Sequence, residues 1–150
     1  MTDPLRSDQV PPAALWLGGA GVLPFAGLAL LASFGPAGWQ GAAVTWLEGY
    51  GVAILSFMGG CRWGFAAAGL GRGPDWGPIA GSVVPALYAW AVAGALAPPW
   101  SLALLALGFV ALLGADVALT RAGGAPAWWP RLRWPLTAGA AVSLLLGAGA

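Results

Sequence analysis

Arg62 is the residue whose chemistry is hardest to ignore, because it sits inside the apolar run Ile54-Leu55-Ser56-Phe57-Met58-Gly59-Gly60-Cys61-Arg62-Trp63-Gly64. An arginine near a bilayer core costs roughly 2.5–3.5 kcal/mol, so it requires a partner, a wet cavity or a route to the headgroups. Two acids stand near membrane depth, Glu48 and Asp116. Glu48 precedes Arg62 by fourteen positions, about 21 Å along a helix. Asp116 falls close to Arg62 in depth if both lie near the same membrane face, and Arg62–Asp116 is the expected ion pair. Its role is open between packing, snorkelling, and a ligand or proton site.

Most catalytic chemistry is excluded by composition. There is no histidine, so Ser-His-Asp, Cys-His and His-ligated haem arrangements are absent. The single cysteine, Cys61, forms no intrachain disulfide or CxxC pair. No glycine loop precedes a polar helix. The expectation is a protein with no catalytic set, no cofactor site and no metal site.

The elements that must position these residues are membrane helices. Only 7% of the 150 residues are charged and 59% are apolar, against about a quarter charged in soluble domains. The formal charge of +1 offers nothing to nucleic acid. Apolar segments at 13–33, 48–69, 79–97, 101–120 and 135–148 predict a five-helix transmembrane bundle in one domain, residues 1–150, with 1–12 as a short cytoplasmic arm. The alternation of membrane strands is absent. The first segment reads as an uncleaved helix rather than a leader.

Arginine placement predicts the orientation. Outside Arg62, the arginines are Arg6, Arg72, Arg121, Arg131 and Arg133, all on one side of a five-helix serpentine. The positive-inside rule then places the N-terminus in the cytoplasm and the C-terminus outside. This predicts a multi-pass membrane protein.

Smaller features complete the reading. Pro24 predicts a kink in the first helix. Residues 36–46, with Trp39 and Trp46 seven apart, allow either an interfacial helix or a plain loop. Arg121, Trp128, Trp129, Arg131 and Arg133 form a basic and aromatic connection suited to the headgroup layer. The second segment is rich in small residues, with a GxxxG at Gly60 and Gly64 beside Gly59, which predicts a central helix in close contact with neighbours. A groove lined by Phe57, Trp63, Tyr88 and Trp90 is the candidate place for a flat apolar ligand, although the same aromatics could simply fill the bundle.

The second-segment run from Tyr50 to Gly64 resembles the signature of the domain-of-unknown-function 3429 family, the transmembrane protein 69-like proteins. Leu23-Pro24-Phe25, Ser82, Pro85, Leu87, Trp90 and Asp116 agree in order, as do Pro126, Trp128-Trp129, Leu132-Arg133 and Leu136-Thr137. Many members of that family carry His where this chain has Arg62, so no imidazole chemistry is carried over. The resemblance implies a five-helix protein of bacterial inner or mitochondrial membranes, with no biochemistry attached. The leading expectation is an accessory subunit or assembly factor of a larger respiratory or photosynthetic membrane complex. The alternative is a binder or carrier of a quinone, tetrapyrrole or lipid.

Overall fold

A computed structural model describes residues 8–150; the first seven residues of the expected arm at 1–12, Arg6 among them, lie outside the described residues. Five helices follow in order: α1 Pro12–Phe34, α2 Ala37–Ala67, α3 Trp76–Ala95, α4 Trp100–Arg121 and α5 Trp129–Ala148. No strand occurs among the described residues. Helices α1 to α4 are long and apolar enough to cross a membrane. Helix α5 matches α3 in length at 20 residues but is less apolar, because Arg131 and Arg133 fall in its first turns.

Two helix boundaries correct the sequence reading. Residues 36–46 are neither a separate interfacial helix nor a loop, because α2 runs unbroken for 31 residues. Nothing in Ala37–Trp46 interrupts a helix, while Gly35-Pro36 just before it ends α1 and starts α2. The helix rises about 46 Å, more than the roughly 30 Å of hydrocarbon. Leu47 packs against Gly147 beside Leu102, so residues 37–46 reach past the ends of α4 and α5. Helix α5 likewise begins at Trp129, six residues before its predicted start. Pro130 occupies a first-turn position where the missing N–H costs nothing.

Neighbour pairs define the packing directions. Gly18 faces Leu132 and Leu136, and Gly139 faces Val22, so α1 and α5 run parallel. Gly51 beside Leu105 and Gly108 beside Leu55 make α2 and α4 parallel to each other. Gly51 also meets Leu144 while Leu47 meets Gly147, which sets α5 antiparallel to α2. Helix α2 touches all four others. The core is a column of Phe25, Leu47, Leu55, Leu102, Leu105, Phe109 and Leu144, each 2% exposed or less. Phe25 meets Tyr50 and Phe109 edge-on at 4.8 and 5.8 Å between ring centres. One turn before Pro24, the Tyr50 hydroxyl donates to the Gly21 carbonyl at 2.9 Å.

Eight of the ten tryptophans are exposed. Trp16, Trp63, Trp76 and Trp134 lie toward one end of the bundle and Trp39, Trp46, Trp90 and Trp100 toward the other. Two such belts suit the two interfaces of a bilayer. Arg72, Arg121 and Arg131 all lie at the first of these ends.

Candidate functional site

Asp116 stands on the last turns of α4, facing inward, and is 0% exposed. Its two oxygens serve different helices. Arg62 Nη1 of α2 donates to Oδ1 at 3.1 Å, and Arg133 Nε of α5 donates to Oδ2 at 3.0 Å. The side chains of Arg133 and Arg62 are 2% and 16% exposed. These are charge-assisted hydrogen bonds, the kind that holds a buried carboxylate in place. The cluster thus joins α2, α4 and α5 one to two turns inside the arginine-bearing end.

Arg133 was assigned by its sequence to the headgroup layer, and the structure corrects that. It lies in the second turn of α5, 1% exposed, with its guanidinium carbon 5.9 Å from the centre of the Trp129 ring. Trp129 is also buried, at 5%, edge-on to Phe65 at 5.0 Å. Its neighbour Trp128 is half-buried, whereas Arg121 and Arg131 are exposed. Arg131 reaches back to Asp8, donating to its carbonyl at 2.9 Å. The signal that could have found Arg133 is Pro130: taken as a helix start, it moves Arg133 out of the loop and one turn beyond Trp129.

Two apolar grooves flank the cluster. The larger, about 470 Å³, runs between α1, α2 and α5, from Trp128, Trp129 and Arg133 at one end to Phe25, Tyr50 and Phe109 at the other. Leu17 and Phe57 line it and are exposed, so it opens sideways between α1 and α2. The second groove, about 410 Å³, lies between α2, α3 and α4 and is bounded by Arg62, Pro85, Tyr88 and Gly108. A recess of about 140 Å³ at the arginine end, beside Arg72 and Leu119, also touches Arg62.

The aromatic groove expected from the sequence does not form. Phe57 borders the first groove and Tyr88 the second. Trp63 and Trp90 point outward, 48% and 72% exposed, and line neither. Tyr88 is fixed by its hydroxyl, which donates to the Leu104 carbonyl at 2.7 Å. The glycines of α2 divide in the same way. A Cβ on Gly59 would strike the Ser82 carbonyl of α3, whereas one on Gly60 or Gly64 would meet nothing within 4 Å. The GxxxG pair therefore faces outward rather than into this bundle. Among the described residues no group of His, Cys, Asp and Glu is placed to hold a metal ion.

The family model described as "Protein of unknown function (DUF3429)" matches residues 10–149. The chain is 37% identical to Transmembrane protein 69 of Xenopus tropicalis over 152 aligned positions, covering 95% of this chain and 58% of that protein. It is 35% identical to Transmembrane protein 69 of Mus musculus over 82 positions, or 54% of this chain and 33% of that one. The chain therefore spans little more than half the length of the first of these relatives and a third of the second. No solved structure matches it.

Proposed function

Since the chain belongs to the DUF3429 family of multi-pass membrane proteins, we propose from its geometry that it is a non-enzymatic holder or carrier of an apolar molecule. The observation that carries this reading is the groove between α1, α2 and α5. At about 470 Å³ it falls within the size range of small-molecule sites, roughly 300–1,000 Å³. It is walled by aliphatic and aromatic side chains, has Arg133 at one end, and opens toward the bilayer. A lipophilic molecule can enter it without crossing water.

The test uses detergent-purified protein and quenching of tryptophan fluorescence by protoporphyrin or ubiquinone. Trp128 and Trp129 line the groove and should report saturable binding. Gly21→Leu places a side chain in the groove, where only the Tyr50 hydroxyl lies within 4 Å of a new Cβ. That variant should fold and lose binding. Quenching that never saturates, or that Gly21→Leu leaves intact, refutes the reading.

A second reading, accessory subunit or assembly factor of a respiratory or photosynthetic complex, is favoured by the outer face of α2. Gly49, Ala53, Gly60 and Gly64 are exposed there, a surface that lets another helix approach closely. Mild-detergent purification of a tagged copy at native expression tests it: a lone monomer with no partner counts against it. We place the protein in a bacterial inner membrane with the arginine end in the cytoplasm, which a C-terminal topology reporter checks.

A further inference from the structure

Arg133 Nη2 and Trp129 Nε1 are buried N–H groups with no hydrogen-bond partner among the described residues. Both residues line the groove. A guanidinium and an indole donate hydrogen bonds and accept none, so only an acceptor can complete either. The formal charge around them is also unbalanced. One carboxylate, Asp116, faces two guanidiniums, Arg62 and Arg133, which leaves one positive charge in excess. Water could accept from either donor, but it would not offset that charge.

We propose that the ligand of this groove carries one anionic, acceptor-only head, a carboxylate or a phosphate, on a single apolar chain or ring body. The head sits between Arg133 Nη2 and Trp129 Nε1, and the body runs toward Phe25, Tyr50 and Phe109. This rests on the groove being a ligand site and narrows what it takes. A neutral quinone satisfies one donor and leaves the charge. A whole two-chain phospholipid is too large for about 470 Å³, whereas one chain fits. Depth agrees with an interfacial amphiphile, since Arg133 is four residues past the start of α5, about 6 Å along its axis. A membrane acid sliding in between Leu17 and Phe57 keeps its head near the interface throughout.

The experiment places the protein in phosphatidylcholine nanodiscs and follows tryptophan quenching by three brominated probes: dibromostearic acid, its methyl ester, and a single-chain phosphatidic acid with a brominated tail. The carboxylate acid, the phosphate acid or both should quench saturably, and which of them does identifies the head. The ester should bind about tenfold more weakly, the scale of one charge-assisted hydrogen bond. Arg133→Gln should bring the acids down to the level of the ester and leave the ester unchanged. Trp129→Phe keeps the Asp116 pairing and should weaken the acids several-fold, which decides the matter if Arg133→Gln does not fold. Saturable binding of acid and ester with equal strength overturns the anionic head while leaving the groove a ligand site. If no brominated probe and no quinone saturates, the groove reading fails and this proposal falls with it.

Discussion

Removing Asp116 tests the buried cluster most directly. In Asp116→Ala, Arg133 keeps its charge in a site where its side chain is 2% exposed and loses its one ionic partner among the described residues. Breaking a buried pair in this way costs about 3–5 kcal/mol. Arg62, at 16% exposure and beside the recess at the arginine end, can turn toward water, so its release adds only about 0.5 kcal/mol, the scale of an exposed pair. The expected total is about 4 kcal/mol. Arg62→Ala is much milder, about 1 kcal/mol, because Asp116 and Arg133 remain as a one-to-one pair.

Double-mutant cycles then rank the two bonds. Arg133→Met keeps an apolar side chain in the space and removes the buried cation, so in its presence Asp116→Ala leaves nothing charged in the core. The Asp116–Arg133 coupling should be about 2 kcal/mol or more, against about 1 kcal/mol for Asp116–Arg62. Thermal unfolding in a single detergent reads these differences, since 1 kcal/mol corresponds to about 2–4 °C for a chain of this size. The reasoning is refuted if Asp116→Ala is no worse than Arg62→Ala. Additivity of Asp116→Ala and Arg133→Met to within about 0.5 kcal/mol refutes it equally.

Three further outcomes are expected, each read as a shift in unfolding temperature. Gly59→Ala drives a methyl into the Ser82 carbonyl and should cost about 2 kcal/mol, while Gly60→Ala, with open space around it, should be neutral or gain up to about 1 kcal/mol from helix propensity. Tyr50→Phe removes the 2.9 Å bond to Gly21 and should cost about 1 kcal/mol, leaving the ring contact with Phe25. Gly71→Ala should cost about 2 kcal/mol, because φ there is +61° and a new Cβ would lie 2.8 Å from the Gly124 Cα of the α4–α5 turn.

How much of this was legible in the sequence follows from the kind of signal each feature leaves. Helix number and serpentine order follow from length and apolarity, because a spanning segment must satisfy its backbone internally. Helix ends were harder to place. Residues 36–46 carry no charge and no internal breaker, so nothing but an assumed membrane thickness separated them from the rest of α2. Asp116 could be tied to Arg62 by depth alone. Arg133 could not, because its helix was given a start at Pro135, and a proline at the first turn looks the same in sequence as one in a loop. Whether Trp63 faces a groove or the lipid depends on helix rotation, which in a segment apolar on every side has no periodic signal to set it. The three faces of α2 emerge only from its neighbours. Ile54, Met58 and Cys61 face the larger groove, Leu55 and Arg62 the smaller, and Gly60 and Gly64 the outside.

That division of α2 separates contact from charge in the proposed site. Arg62 does not line the groove that holds Arg133, so it cannot touch a ligand there, yet it shares Asp116 with Arg133. In Arg62→Ala the excess positive charge is gone, and Asp116 is left to neutralise Arg133 alone. An anionic head should then bind more weakly although each of its contacts is intact. At roughly 8 Å and an effective dielectric constant of about 20, the lost attraction is at most about 2 kcal/mol. Because Arg62 is partly exposed, a several-fold loss is the expected size. Dibromostearic acid should show it, and the methyl ester should not, since an uncharged head gains nothing from Arg62. If Arg62→Ala binds the acid as tightly as the parent chain does, the charge of the cluster plays no part in holding the head. The two unpartnered N–H groups of Arg133 and Trp129 would then have to carry the preference for an acid by geometry alone.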